Sequence, residues 1–192
     1  MSQNRYLISI DGGTTNTRVY LWRGDHSVAD RTASEMGVRN TAISGSNDGL
    51  KQAVKGMLQQ LLQRNHLVWD DIEGIYASGM ITSNLGLYEL PHLIAPARPE
   101  DFARGVKEVE MKDICPLPIG MIPGVKNLRD EDVGLHNLGE MDMMRGEEAE
   151  ALGIVSALQV SQPVVLVLPG SHTKFVFMDE NGSILGCVTS MT

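Results

Sequence analysis

The sequence predicts a mixed α/β fold in which a strand–loop–strand–turn–strand unit occurs twice. Two observations support this prediction. Three β-type segments joined by glycine-containing turns open the chain, and a strongly amphipathic helical segment follows them. An apolar segment, Val164–Leu168, then begins a second copy of the opening unit about 156 residues later.

The opening unit is predicted to contain strands at about residues 6–10, 18–23 and 28–35. Asn47 is a candidate N-cap for a helix that extends to about Arg64, because small polar side chains accept hydrogen bonds from a first helical turn. The apolar residues of this helix recur at the spacing of one helical face: Leu50, Val54, Met57, Leu58, Leu61 and Leu62.

The middle of the chain gives weaker signals. Short strands are predicted at about residues 74–78 and 117–122, and Pro91 and Pro96 predict an irregular insertion over residues 85–98. Alanine, leucine and glutamate at helical spacing predict a helix from about Arg145 to Leu158, with acidic residues in its first turn. The apolar run that follows predicts a buried strand.

The internal repeat is clearest after its loop. Thr-Arg-Val-Tyr-Leu at residues 17–21 aligns without gaps with Thr-Lys-Phe-Val-Phe at residues 173–177, and the second loop is two residues shorter. One interpretation is a chance similarity of two hairpins. The other is a duplicated fold, in which two loops of small residues face one another and hold a polyphosphate from both sides.

Composition narrows the class of protein. A formal net charge of −8 argues against a nucleic-acid partner. No apolar run approaches membrane-spanning length, and the N-terminus lacks a signal-peptide pattern. Cys115 and Cys187 are far apart and have no metal-like spacing, which is typical of a reduced compartment. We therefore expect a soluble, cytoplasmic protein of mixed α/β structure.

The loop between the first two strands carries the strongest chemical signal. It reads Asp11, Gly12, Gly13, Thr14, Thr15 and Asn16. Glycine allows the backbone to approach an anion closely, and successive N–H groups and hydroxyls can bind phosphate. A carboxylate beside a phosphate requires a cation between them, and Mg²⁺ held through water is the natural candidate. The alternative interpretation is an ordinary glycine-rich hairpin.

This loop, followed by Arg18, resembles the first phosphate motif of the sugar-kinase, hexokinase, Hsp70 and actin superfamily. Four further motifs, in order, resemble those of 2-dehydro-3-deoxygalactonokinases. They read Ala-Ser-Gly-Met-Ile-Thr-Ser at residues 77–83, Met-Arg-Gly-Glu-Glu-Ala-Glu at 144–150, Pro-Gly-Ser-His-Thr-Lys-Phe at 169–175 and Thr-Ser-Met-Thr at 189–192. The sequence departs from the family pattern at Gly12, where the family has Trp, and at Thr82, where it has Gly. Residues 84–87 also depart, because they lack an Arg that the family often carries and that could bind a substrate carboxylate.

The resemblance implies a ribonuclease H-like (actin-like ATPase) domain over residues 1–160, with a mixed five-stranded sheet flanked by helices. Residues 161–192 would begin a second, incomplete domain of the same kind as a β-meander. The implied activity is an ATP- and Mg²⁺-dependent kinase that phosphorylates the 6-hydroxyl of 2-dehydro-3-deoxy-D-galactonate, a 2-keto-3-deoxy sugar acid.

The resemblance also implies individual roles. Asp11 would hold Mg²⁺ through water. The residues implied to bind nucleotide phosphates are Gly12, Gly13, Thr14, Thr15, Asn16, Gly170, Ser171, His172, Thr173 and Lys174. The residues implied to bind the sugar acid are Ser78, Gly79, Met80, Ser83 and Arg145. The residues themselves allow other interpretations: Lys174 could be a solvated strand lysine, His172 a hydrogen-bonded turn histidine, and Arg145 an ion-pair partner of Glu148.

Glu147 is the residue that the resemblance selects as the catalytic base. Adjacent helical residues point about 100° apart, so at most one of Glu147 and Glu148 should face a cleft. The alternative is that both are first-turn acids that stabilise the helix dipole. Asp142 is a weaker candidate.

Three functions remain open at this stage: a sugar-acid kinase, a truncated and non-catalytic lobe of such a kinase, and a nucleotide-dependent structural or sensing relative of actin or Hsp70. The motifs at residues 77–83 and 144–150 argue against the third. For the chain alone we expect a meander with no helix over it. Candidates for its uncovered apolar face are Val165, Val167, Phe175, Phe177 and Leu185. Such a surface predicts homodimerisation or aggregation, or a poorly ordered C-terminal segment, together with weak ATP binding.

Overall fold

The computed structural model describes residues 5–170 and 172–190, which contain twelve β-strands and four α-helices. The strands are β1 (Tyr6–Gly12), β2 (Thr17–Arg23), β3 (Val28–Ser34), β4 (Ile72–Gly79), β5 (Leu93–Ile94), β6 (Lys107–Val109), β7 (Ile119–Met121), β8 (Val125–Lys126), β9 (Met143–Met144), β10 (Val164–Leu168), β11 (Thr173–Met178) and β12 (Ile184–Ser190). The helices are α1 (Val38–Ser44), α2 (Asp48–Arg64), α3 (Pro99–Gly105) and α4 (Glu147–Ala157).

The chain divides into two units. The first contains the residues up to Leu90 together with Lys107–Ile122, and the second contains Pro91–Val106 and the residues from Pro123 onward. This division does not follow the predicted boundary near residue 160. The short strands β5, β8 and β9 and the helix α4 belong with the C-terminal meander, because β12 packs against β8 and β9 and α4 packs against β11.

The first unit is built on one mixed sheet in the order β3-β2-β1-β4-β7-β6. Strand β1 is antiparallel to β2 and parallel to β4, and β4 is parallel to β7. The predicted apolar face of α2 is confirmed, since all six of its residues are buried. The sheet has six strands rather than the predicted five, because Lys107–Val109 pairs with β7 at the edge and is too short to show an alternating pattern.

Two short helices were not predicted. Helix α1 has only seven residues and no sustained apolar stripe, and its first N–H groups donate to loop carbonyls: Val38 to Gly13 (3.3 Å) and Arg39 to Thr14 (2.9 Å). Helix α3 begins with Pro99 at its first position, a recognised start signal that could have revealed it.

The second unit contains two three-stranded sheets, in the orders β10-β11-β12 and β5-β8-β9. The Asn127 amide joins them: Nδ2 donates to the Cys187 carbonyl (2.8 Å), and Oδ1 accepts from the Cys187 N–H (2.9 Å). The prediction that no helix covers the meander is wrong for one face, because α4 packs against β11. Val176, Met178 and Cys187 are accordingly buried there.

The other face of the meander is apolar and open in the described part of the chain. Val165, Val167, Phe177 and Val188 are exposed, and the register places them on one face with the partly buried Phe175. Leu185 is also exposed, beside the register shift of β12. The predicted exposed residues are thus confirmed except for Phe175, and association through this face stays a prediction.

The register of the strands confirms the internal repeat. Thr17 lies opposite Ser34, and Thr173 lies opposite Ser190, so this pair recurs after 156 residues. Every Cα pair between β2 and β3 recurs between β11 and β12 at the same interval. Even the register shift recurs, after Leu21 in the first unit and after Phe177 in the second. A bulge conserved between the two copies argues for duplication rather than for chance similarity.

Candidate functional site

The carboxyl ends of the parallel strands β1 and β4 lie side by side in the first unit. Asp11 is opposite Ser78, and Gly12 is opposite Gly79. Two predicted loops therefore leave the sheet at the same edge. They are the phosphate loop, residues 11–16, and the sugar loop, residues 78–83. This edge of an α/β sheet, beyond the carboxyl ends of its strands, is where such folds commonly bind ligands.

The phosphate loop is a tight turn. The Gly13 N–H donates to the Asn16 carbonyl (2.8 Å), and Asn16 Nδ2 donates to Thr15 Oγ1 (3.0 Å). The carbonyls of Gly13 and Thr14 accept from α1, so these two acceptors are already engaged. Thr14 and Thr15 are exposed.

Thr17 anchors the end of this loop. It is completely buried, and its hydroxyl donates to the Met36 carbonyl (2.7 Å). The exposed polar turn thus stands on a rigid base, which is the arrangement that a preorganised phosphate site requires.

Asp11 stands at the mouth of the loop. Its Oδ2 is 3.0 Å from Arg18 Nη1, and both side chains are about half exposed, at 45% for Asp11 and 49% for Arg18. Among residues 5–170 and 172–190, no group of three or more histidine, cysteine, aspartate or glutamate side chains is arranged to hold a metal. Mg²⁺ in phosphoryl-transfer sites needs only one or two carboxylates, with water and substrate phosphates completing its shell. A half-exposed Asp11 fits that requirement.

Glycine at positions 12 and 79 allows the two loops to approach closely. A Cβ atom on Gly12 would lie 2.3 Å from Ile81 Cβ, and a Cβ atom on Gly79 would lie 2.7 Å from the Gly12 carbonyl oxygen. Gly79 also has φ +87°, a conformation that favours glycine. The Trp that the family carries at position 12 would therefore require the Ile81 segment to move.

The variant Gly12→Ala is expected to lower the free energy of unfolding by about 1–3 kcal/mol, because the new methyl group overpacks against Ile81. Gly56→Ala is the matched control. Gly56 lies in α2 with open space around it, so this change should raise stability by about 0.5–1 kcal/mol. Urea unfolding of both variants checks the prediction, and equal stability of Gly12→Ala and wild type would contradict it.

The predicted sugar loop uses several of its own polar groups for internal hydrogen bonds. Thr82 Oγ1 donates to the Gly79 carbonyl (3.0 Å), and Ser83 Oγ donates to the Met80 carbonyl (2.7 Å). Ser83 is buried, whereas Ser78 and Met80 are partly exposed. These bonds fix the loop, and substrate contacts from Ser78, Gly79, Met80 and Ser83 stay predictions.

The two glutamates at the start of α4 have different environments. Glu147 is partly exposed, and its Oε2 accepts from the Arg145 N–H (3.0 Å). Glu148 is completely buried, and both of its oxygens accept from the Gly146 N–H at 2.8 Å. Burial raises the pKa of Glu148 to about 7, with a smaller contribution from Glu147. Only Glu147 is therefore accessible for proton transfer in this structure.

Arg145 contacts a residue that sequence reasoning missed. Its Nη2 lies 3.1 Å from Nδ1 of His92, which is half-buried. The two residues are 53 positions apart, and neither the spacing nor a motif connects them. Of the alternatives for Arg145, a substrate carboxylate or an ion pair with Glu148, neither included this histidine.

The second predicted phosphate loop is only partly described, since Ser171 and the motif residues 191 and 192 lie outside the described residues. Gly170 and His172 are exposed, and Thr173 is partly buried at the start of β11. Phosphate binding by this loop stays a prediction.

The side chain of Lys174 does not point into solvent, although a solvated lysine was one of the two interpretations of the sequence. Its side chain is only 9% exposed, and Nζ donates to Asp142 Oδ1 (3.0 Å), to the Met143 carbonyl (2.6 Å) and to Thr189 Oγ1. The solvated alternative is therefore wrong. All three ammonium N–H bonds are already used, which weighs against the predicted phosphate contact.

Asp142 is the carboxylate that accepts hydrogen bonds from both Lys174 and Thr189. Its Oδ2 accepts from the Thr189 N–H (2.5 Å) and its Oδ1 from the Thr189 hydroxyl (2.9 Å). Burial alone would raise the pKa of Asp142, but the hydrogen bonds from Lys174 and Thr189 outweigh it and hold that pKa below its usual value. A carboxylate stabilised in its charged form is a poor proton acceptor, which weakens Asp142 as a candidate base.

The fold is that of the actin-like ATPases. A solved structure described as a candidate 2-dehydro-3-deoxygalactonokinase from Sinorhizobium meliloti has a TM-score of 0.72 and 22% identity, covering 97% of this chain and 53% of that one. The structure of the Aquifex aeolicus Ppx/GppA phosphatase matches with a TM-score of 0.52 and 14% identity, and the match covers 96% of this chain and 51% of the phosphatase chain. At these identities the similarity establishes the fold alone.

The sequence establishes the family. The family model for 2-keto-3-deoxy-galactonokinase matches residues 11–192, so the chain belongs to this family. The 2-dehydro-3-deoxygalactonokinase of Escherichia coli K12 is 30% identical over 174 residues, covering 90% of this chain and 49% of that protein. The chain thus spans about half the length of the relatives it matches. No helix in the described ranges is both long and apolar enough to cross a membrane.

Proposed function

We propose that the protein carrying this sequence transfers the γ-phosphoryl group of ATP to the 6-hydroxyl of 2-dehydro-3-deoxy-D-galactonate. The observation that supports this proposal best is the pairing of two loops at one sheet edge, the Asp11-Gly-Gly-Thr-Thr-Asn16 turn and the loop at residues 80–83, in a chain of this family. One loop has the groups that bind phosphate, and the other follows the strand end implied to bind sugar hydroxyls.

Phosphoryl transfer depends mainly on positioning and on charge stabilisation. Asp11 would hold Mg²⁺ through water, and the bound ion would neutralise charge on the phosphates. The hydroxyls of Thr14 and Thr15, the Asn16 amide and the turn N–H groups would donate to the phosphate oxygens. These donors are already fixed by the turn and by Thr17, so little reorganisation is needed when the nucleotide binds.

Glu147 would accept the proton of the attacking hydroxyl. It is a partly exposed carboxylate held by the Arg145 N–H, whereas Glu148 is buried with a raised pKa and Asp142 is engaged by Lys174. Transfer of the phosphoryl group forms the ester oxygen–phosphorus bond and releases ADP. The proton of the hydroxyl passes to Glu147 and then to solvent.

The proposal is tested by a coupled assay of ADP formation with a panel of acceptors. We expect turnover with 2-keto-3-deoxy hexonates, fastest with 2-dehydro-3-deoxy-D-galactonate, and little with galactose or glucose, which lack the carboxylate. Chelation of Mg²⁺ by EDTA should abolish the signal. Phosphorylation of ordinary hexoses at rates that match the sugar acids would contradict the proposed substrate class.

A further inference from the structure

Strand β9 lies at the edge of its sheet, so among the described residues only β8 pairs with it. Met144 lies opposite Val125, and the carbonyl of Asp142, just before β9, accepts from the Asn127 N–H (2.9 Å). Backbone groups alternate in direction along a strand. The N–H and the carbonyl of Met143 therefore point away from β8 and need other partners.

Side chains supply both of these partners. The Met143 N–H donates to Asp142 Oδ1 (2.7 Å), and the Met143 carbonyl accepts from Lys174 Nζ (2.6 Å). Lys174 is itself held firmly, because it lies in the middle strand of the meander, opposite Leu168 on one side and Thr189 on the other. Its ammonium group thus stands where a neighbouring strand would otherwise pair with β9.

The segment held in this way leads directly to Glu147. Gly146, the residue before α4, has φ +119°, and its N–H is held by the Glu148 carboxylate (2.8 Å). Glu147 Oε2 accepts from the Arg145 N–H (3.0 Å), only two residues after Met143. The position of the Glu147 carboxylate therefore depends on a short backbone segment that Lys174 fixes at its start.

The internal repeat shows how unusual this use of the lysine is. Lys174 occupies the repeat position of Arg18, whose partner Asp11 lies directly opposite it in the same hairpin. The residue opposite Lys174 in β10 is Leu168, and the carboxylate comes instead from Asp142, outside the meander. The first cation pairs within its own hairpin, whereas the second joins the meander to β9.

Stability alone does not account for this ion pair. A largely buried pair can often be replaced by two apolar residues of similar size without loss of stability. An apolar side chain has no donor for the Met143 carbonyl, however. What Lys174 adds is a directional, charge-assisted hydrogen bond to that backbone group.

We propose that Lys174 is a positioning residue, whose hydrogen bond to the Met143 carbonyl fixes the segment that presents Glu147. The proposal rests on the proposed function for the role of Glu147 as the base. It gives Lys174 a different task from the phosphate contact that the family resemblance implies, since its three N–H bonds are used by Asp142, Met143 and Thr189.

The main test uses the double variant Lys174→Met with Asp142→Leu, in which stability is retained but the donor to Met143 is lost. We expect kcat to fall about 10–100-fold, because a small displacement of a catalytic group can cost about 10²-fold. The KM for ATP should not change. Wild-type kcat in a stable double variant would overturn the proposal, and a raised KM for ATP with unchanged kcat would restore the phosphate contact.

Thr189→Val gives the converse case. It removes one hydroxyl group from the cluster and leaves the Lys174 bond to Met143, so kcat should stay within about threefold of wild type even if stability falls. Because only one hydroxyl group is lost, this variant tests the proposal even if the double variant does not fold. A loss of kcat in Thr189→Val as large as that expected for the double variant would overturn it.

Arg104→Met is the matched control for removing a cation from the second unit. Its side chain is 66% exposed and pairs with Asp101 on the surface of α3, so kcat should equal that of wild type. A comparable loss of kcat in this variant would show that the effect is not specific to Lys174, and it would overturn the proposal.

Hydrogen exchange followed by mass spectrometry makes the test independent of turnover. Without ATP, amides of residues 143–149 should exchange about tenfold faster in the double variant than in wild type, the effect of losing one hydrogen bond to a charged group. Amides of α2 should be unchanged. If exchange responds in this way but wild type transfers no phosphoryl group, Lys174 still fixes the segment and the proposed function alone fails. Unchanged exchange at residues 143–149 would overturn the positioning role.

Discussion

Glu147→Gln is expected to lower the turnover of the protein carrying this sequence about 10²–10⁴-fold, the range typical of a positioned general base. The amide keeps the size of the side chain and can still accept from the Arg145 N–H, so folding and ATP binding should remain nearly intact. Single-turnover rates and nucleotide titrations of the same preparation measure the two effects separately.

Two further variants on α4 serve as controls. Glu150→Gln changes an exposed carboxylate on the same helix and should leave the rate close to that of wild type. Glu148→Gln changes the buried carboxyl group, whose pKa of about 7 leaves it partly neutral near neutral pH. A loss of less than about tenfold in Glu147→Gln would contradict the assignment of the base. A large loss confined to Glu148→Gln would transfer the role to Glu148.

Lys174→Met is expected to lower the free energy of unfolding by about 3–5 kcal/mol, because it leaves the Asp142 carboxylate in a largely buried site without its cation. The Asp142 side chain is 20% exposed and also accepts from Thr189, so it cannot turn to solvent without breaking those bonds. Urea unfolding at neutral pH measures the loss.

The double variant Lys174→Met with Asp142→Leu is the matched comparison, since replacing both partners by apolar groups should recover most of the stability. The pH dependence gives a second check. The folded-state pKa of Asp142 lies below its ordinary value of 3.8, so its contribution is complete above that pH and is lost as the pH falls through the lower, folded-state pKa. A double variant no more stable than Lys174→Met would contradict this account.

Local periodicity explains which parts of the fold could be predicted. The buried face of α2 and the strands of the opening unit follow from patterns that repeat within the element itself. The recurrence of the β2–β3 register in β11–β12 followed from comparing two stretches of the same sequence. Strand β6 and helix α1 were missed because each is short and depends on pairing with distant backbone.

The candidate site was predictable only where a motif holds its groups together. Asp11 and the turn after it are contiguous, and the placement of Ser78 beside Asp11 follows from the parallel pairing of two predicted strands. The partners of Lys174 and His92 lie 15 to 53 positions away, and no sequence signal joins them. For the same reason, the contrast between a buried Glu148 and a partly exposed Glu147 required the structure.

The proposed activity is tested most directly by ³¹P NMR of a mixture of this protein, ATP, Mg²⁺ and 2-dehydro-3-deoxy-D-galactonate. The account predicts ADP together with a single phosphomonoester resonance, split into a triplet by the two hydrogens on C6 of the sugar acid. ADP accompanied only by inorganic phosphate would contradict it, as would a phosphomonoester that forms as readily from galactose as from the acid.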